Sequence, residues 1–146
     1  MTVPPESDLP DALAPADAGV LVVEDNVPDF VQIARLLPQM GVTRCEWKTS
    51  TWQLIQFINT SPPFDLILLD LSDPRREACE TLTRLRDHPR LHGARIVAIE
   101  SRNDQVQIRD VELAGFDGLL LKPLDSQTFP DQLRRMLAGE PVWESK

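Results

Sequence analysis

The sequence predicts a doubly wound α/β fold, a parallel sheet with helices on both faces. Short continuous apolar runs alternate with stretches of helical period through the whole middle of the chain. Strict alternation of strands and helices implies right-handed crossovers, which lay parallel strands side by side. The first run, Val20-Leu21-Val22-Val23, is apolar at every position rather than at every second one, as a strand buried on both faces must be.

The elements follow in order. Asn26 is a helix cap, and Phe30, Val31, Ile33, Ala34, Leu36 and Leu37 recur with helical spacing until Pro38 and Gly41 close the helix. Thr43 to Lys48 alternates Cys45 and Trp47 with Glu46 and Lys48, the pattern of an edge strand with one wetter face. Trp52, Leu54, Ile55, Phe57 and Ile58 form a second helix that stops at Ser61-Pro62-Pro63. Leu66 to Leu69 is a central strand, Ala78 to Leu85 a helix, and Ile96 to Ile99 a strand. Asn103 caps a helix carrying Val106, Ile108, Val111, Leu113 and Ala114, with Gly115 in the place of a left-handed C-terminal cap. Leu119 to Leu121 is the fifth strand, and Phe129, Leu133, Met136 and Leu137 mark the fifth helix. Residues 1–18, with four prolines among acidic and small residues, read as a disordered tail; 19–138 form one domain, and 139–146 a second tail, polar apart from Trp143, which either folds back on the domain or is exposed.

Composition narrows the function. A chain of 146 residues, 42% hydrophobic and 26% charged, has room for one ordinary domain. Its net charge of −8 repels nucleic-acid backbones and anionic lipid surfaces, so neither is an expected partner. No apolar run approaches the ~20 residues of a bilayer span, and the acidic, Pro-rich start does not resemble a secretory signal; the expected compartment is the cytoplasm. Cys45 and Cys79 lie far apart without a C-x-x-C pattern, which suits reduced thiols.

The informative step is where the acids fall. Parallel strands end on one edge, so residues just past each run are neighbours in space, and open α/β sheets bind ligands at that edge. Glu24 and Asp25 follow the first strand, Asp70 the third, Glu100 and Ser101 the fourth, and Lys122 the fifth. Converging carboxylates repel unless a cation joins them, and a donor set of oxygens alone favours Mg²⁺ over zinc. Any one of these acids also suits the start of the helix that follows it.

These segments carry a resemblance. Val22-Val23-Glu24-Asp25-Asn26, Asp65-Leu66-Ile67-Leu68-Leu69-Asp70-Leu71 with Pro74 behind it, and Ala114-Gly115-Phe116-Asp117-Gly118-Leu119-Leu120-Leu121-Lys122-Pro123 stand in the order and spacing of a receiver domain. From about Val20 to Leu137 the chain resembles the response-regulator receivers of two-component signalling. The resemblance implies a flavodoxin-like sheet of five strands in the order 2-1-3-4-5. It implies Asp70 as phosphoacceptor for a phosphohistidine on a histidine kinase or phosphotransfer protein. Mg²⁺ would be held by Asp25, Asp70, Glu24 and the Ser72 carbonyl, and a phosphoryl oxygen by Lys122, with a cis Lys122–Pro123 bond. It further implies output by contact with a downstream protein and, as in many receivers, a homodimer through the fourth helix, fifth strand and fifth helix. No turnover enzyme is expected.

Three positions depart from the family. The hydroxyl residue at the end of the fourth strand is replaced by Glu100, beside Ser101, and the aromatic switch residue by Leu119. Glu100 would repel a phosphoryl group and is expected to pair with Lys122; a bulge would instead bring Ser101 to the site as a phosphate ligand. Ala78 replaces the glycine that usually opens the third helix, behind the charged Arg75-Arg76-Glu77. A phosphorylation-independent adaptor is therefore a second reading. An aspartyl-phosphate phosphatase of the haloacid dehalogenase kind is a third, weakened by Ser72 where that family has a second Asp.

Other motifs have simpler readings. His88 and His92 have zinc-like spacing, but Pro89 and Gly93 make exposed loop residues the expectation. The arginines at 75, 76, 84, 86, 90 and 95 read as a solvated helix surface or an acidic-partner face. Trp47 and Trp52 are read as packing residues, and the sequon at Asn59 as chance.

Overall fold

The computed structural model describes residues 13–71, 75–101 and 107–144, with backbone alone at 75–77. Its elements are β1 (Gly19–Val23), α1 (Val27–Gln39), β2 (Arg44–Lys48), α2 (Leu54–Thr60), β3 (Leu66–Asp70), α3 (Arg75–Arg86), β4 (Arg95–Ser101), α4 (Ile108–Ala114), β5 (Gly118–Lys122), α5 (Phe129–Leu137) and β6 (Val142–Trp143). The strands form one parallel sheet in the order β2-β1-β3-β4-β5-β6. This is the expected 2-1-3-4-5 order with one strand added.

Period-2 alternation divides the core in two. Leu21, Val23, Ile67, Leu69, Ile96, Ala98, Leu119 and Leu121 pack with Leu54, Ile58, Leu82, Leu85 and Val111 from α2, α3 and α4. Val20, Val22, Leu66, Leu68, Val97, Ile99 and Leu120 pack on the other face with Ile33 and Leu37 of α1 and Phe129, Leu133 and Met136 of α5. Each such aliphatic burial contributes roughly 1.5–3 kcal/mol, so the four inner strands anchor the sheet and hold the carboxyl edge in place.

Both expected tails are corrected in part. Within 139–146, Val142 and Trp143 extend the sheet: Glu144 N–H donates to Leu119 O at 2.9 Å, and Leu121 N–H donates to Glu144 Oε1 at 2.8 Å. Gly118 permits this, because a Cβ there would sit 2.6 Å from Val142 O. A strand of two residues leaves no periodicity to read. At the other end, residues 1–12 lie outside the described residues, but Leu13 packs against the α1/α5 core, its N–H donates to Leu137 O at 3.4 Å, and a 3-10 turn at Pro15–Asp17 delivers buried Ala18 into β1.

Several side chains differ from expectation. Trp47 packs, stacked on Phe30 with ring centroids 4.0 Å apart, but Trp52 is 75% exposed. Gln53, with φ of 56°, starts α2 only at Leu54, so Trp52 lies outside the helix whose buried face is Leu54 and Ile58. His88 is buried rather than exposed: its Nδ1 accepts from Arg90 N–H at 3.1 Å, so Nε2 carries the proton toward Asn59 Oδ1 at 2.6 Å. Two of the arginines tie loops together. Arg86 reaches Asp117 at 2.7 Å and Gly115 O at 2.8 Å, and Arg90 donates to Ser61 O. Leu113, expected on the buried face of α4, is 73% exposed, and Val111 fills that role. Gly115 is left-handed with φ of 107°, as its capping position requires; Asn103 and Val106 fall outside the described residues.

Candidate functional site

The carboxyl ends of β1, β3 and β5 bring Glu24, Asp70 and Lys122 together. Alternation puts all three on the α1/α5 side, continuing the faces of Val22, Leu68 and Leu120. Lys122 Nζ is 2.7 Å from Glu24 Oε1, 3.0 Å from Asp29 Oδ2 and 3.4 Å from Asp70 Oδ1. Exposed Asp25 completes an acidic set: single oxygens of Glu24, Asp25 and Asp70 lie within 4.8 Å of one another.

Local structure fixes each group. Glu24 N–H donates to Lys48 O at 2.9 Å, Glu24 O accepts the Trp47 indole N–H at 2.7 Å, and Glu24 Oε2 accepts from Asn26 N–H at 3.1 Å. Asn26 is the cap foreseen for α1, accepting from Asp29 N–H at 2.9 Å. The Gln32 amide bonds both backbone groups of Leu124, donating at 2.8 Å and accepting at 3.0 Å. That clamp ties α1 to the loop behind Lys122, which begins with a cis Lys122–Pro123 bond.

Electrostatics follow from burial. Glu24 is 1% exposed, and burial pushes its carboxyl up to about 7; Lys122 pulls it down while Asp70 adds to the rise. Burial pulls Lys122 down, but hydrogen bonds to Glu24 and Asp29 and the charge of Asp70 more than offset that, and its ammonium is held above the ordinary lysine range.

The donor set fits a hard divalent cation. Its ligating atoms are all oxygens, and they include a buried carboxylate whose ionisation is opposed and which an added positive charge would favour. Glu24, Asp25 and Asp70 are the residues that would hold it. Ser72, the expected fourth contributor, lies outside the described residues.

The switch positions stand as follows. The β4–β5 ladder runs unbroken from Val97↔Gly118 to Ser101↔Lys122, with no bulge. Ser101 is thus beside Lys122 and on its face, whereas Glu100 continues the face of Ala98, opposite Leu121. Glu100 is 1% exposed, and its Oε1 accepts from Ser101 N–H at 3.0 Å. The expected pairing of Glu100 with Lys122 is corrected: among the described residues the lysine's ion pairs run to Glu24, Asp29 and Asp70, because the lysine projects from the other face. Leu119 is fully buried and pairs with Trp143 of β6. Sequence reasoning missed Asp29 and Gln32. The available signal was helical spacing, since Asp29 stands one turn beyond Asp25 and Gln32 a further turn along the same helix.

Comparison with known proteins bears on the family and the fold. The family model of the response regulator receiver domain matches residues 20–134. Stress response regulator protein 1 of Meyerozyma guilliermondii is 24% identical over 132 residues, covering 80% of this chain and 59% of that protein. The nitrate/nitrite response regulator protein NarL of Escherichia coli is 38% identical over 78 residues, covering 53% of this chain and 35% of NarL. The chain thus spans about half the length of the curated relatives it matches. Among solved structures, a response regulator receiver protein from Burkholderia phymatum superposes with a TM-score of 0.70 at 22% identity, covering 85% of this chain and 97% of that one.

Proposed function

The chain belongs to the response regulator receiver domain family, and from that membership we propose that it accepts a phosphoryl group on Asp70 and signals by protein contact. The donor is a phosphohistidine on a histidine kinase or phosphotransfer protein. An Asp70 carboxylate oxygen forms the new bond to phosphorus, the phosphorus–nitrogen bond breaks, and its electron pair stays on the departing imidazole. Glu24, Asp25 and Asp70 would hold Mg²⁺, which when bound would supply positive charge to the transferring oxygens. Lys122, 3.4 Å from Asp70, would supply a second cation, and Ser101, its partner across the β4–β5 ladder, would donate a hydroxyl. The protein is a phosphoacceptor in this reading, not a turnover enzyme, and its downstream target is a protein.

One observation carries the proposal: three carboxylates lie within 4.8 Å of one another, with a buried lysine 3.4 Å from Asp70. Incubation with Mg²⁺ and acetyl phosphate tests it. Intact mass is expected to gain one phosphoryl group, and Asp70→Asn to gain none. Buried Glu100 at the hydroxyl position favours one alternative, an adaptor that works without phosphorylation; an unlabelled wild-type protein that stays folded would select it. Phosphate-monoester turnover abolished by Asp70→Asn would select the phosphatase instead.

A further inference from the structure

Asp29 has no part in the reaction just described, yet its carboxylate is 3.0 Å from Lys122 Nζ, nearer than that of Asp70 at 3.4 Å. An ammonium has three donors, and Lys122 has three acidic neighbours, Glu24, Asp29 and Asp70. A phosphoryl oxygen on Asp70 takes over the donor now aimed at Asp70 Oδ1, but that contact is the longest of the three, and the ammonium comes closer to it by loosening its hold on Glu24 or Asp29. Glu24 is a poor one to desert, since its side chain is fully buried and would lose its cation there. The Asp29 side chain is 33% exposed and can be rehydrated by water.

Resting on the phosphoacceptor reading, we propose that Asp29 is a positioning residue that holds Lys122 back from Asp70 and so sets how readily the site accepts a phosphoryl group. The Asn26 cap fixes the first turn of α1 and with it the place of Asp29. The carboxylate acts with opposite sign on the two ligands. As one more negative charge beside the acidic set, it strengthens binding of a divalent cation; by occupying Lys122 and by repulsion, it weakens binding of an anionic phosphoryl group. A packing role alone has no reason to split the two.

The test compares wild type, Asp29→Asn and Asp29→Glu. Mg²⁺ affinity and beryllofluoride affinity at saturating Mg²⁺ are read from the Trp47 indole N–H signal by NMR, and acetyl phosphate labelling from intact mass. Loss of a partly exposed charge is expected to tighten beryllofluoride on the order of fivefold and speed labelling similarly, while Mg²⁺ weakens about twofold to threefold. Asp29→Glu is expected to stay near wild type. If wild type responds to beryllofluoride and acetyl phosphate but Asp29→Asn leaves both unchanged, or weakens all three readouts together, this inference is overturned and the phosphoacceptor reading stands. If folded wild type neither binds beryllofluoride nor accepts a phosphoryl group, both are overturned.

Discussion

Raising the pH across the titration of Glu24 should destabilise the cation-free protein. Burial, reinforced by Asp70, places this carboxyl at about 7 in the folded protein against 4.5 as an ordinary side chain. The folded state therefore holds the proton more tightly than the unfolded chain. The resulting stability is fully present below the unfolded pKa, is lost as pH rises through the folded one, and is flat beyond. A displacement of this size corresponds to roughly 3 kcal/mol, of which about 2 to 3 kcal/mol is lost between about pH 5 and pH 8. Lys122 does not share in the change, because its raised affinity for the proton keeps it cationic throughout. Urea unfolding of wild type and Glu24→Gln across this range isolates the effect, since the glutamine cannot titrate and groups remote from Glu24 cancel in the difference. Wild type should lose stability relative to the variant as pH rises, and saturating Mg²⁺, which favours the ionised carboxylate, should remove most of the loss. A difference that is constant, or grows in favour of wild type with rising pH, would refute the reasoning.

Three further outcomes are expected. Trp47→Ala should cost roughly 2 to 3 kcal/mol in chemical denaturation, through the lost Phe30 stack and indole hydrogen bond, whereas Trp52→Ala should stay within about 0.5 kcal/mol; equal losses would contradict the packing described. The Cys45 thiol, pushed up to about 11 by burial and then by Glu46, should react with iodoacetamide near neutral pH roughly a hundredfold more slowly than a free thiol, and peptide mapping that finds it labelled at the free rate would count against the burial. Gly118→Ala should push β6 off its neighbour, because the new methyl meets Val142 O at 2.6 Å; fluorescence should show the Trp143 indole entering water, with a loss of about 1 to 2 kcal/mol.

What the sequence disclosed was what depends on long apolar patterns and chain-local chemistry. The unbroken run at Val20–Val23, the Asn26 cap and the left-handed Gly115 all have local causes, and all stand as read. The acids at strand ends were legible because parallel strands share an edge, which turns distant sequence positions into neighbours. Contacts set by tertiary approach were not. Trp47 and Trp52 are alike in sequence, and only the turn at Gln53 separates a stacked ring from an exposed one. His88 looked solvent-facing between loop residues until Asn59, from the end of another helix, closed over it. Lys122 was expected to pair with Glu100, and the parity of an unbroken ladder instead turned it toward Glu24 and Asp29.

The short sixth strand also governs how copies of the molecule can meet. An uncovered outer strand offers a row of backbone donors and acceptors on which a second sheet can grow. At β5 the chain fills part of that row itself, and among the described residues the outermost strand is Val142–Trp143, too brief a template for further growth. The opposite border is β2, where antiparallel self-pairing centred on Glu46 would set Glu46 against Glu46 and Arg44 against Lys48. Both borders resist fibre-like stacking, and a homodimer built around the fifth strand has to rely on side chains of the flanking helices rather than on a continuous intermolecular ladder.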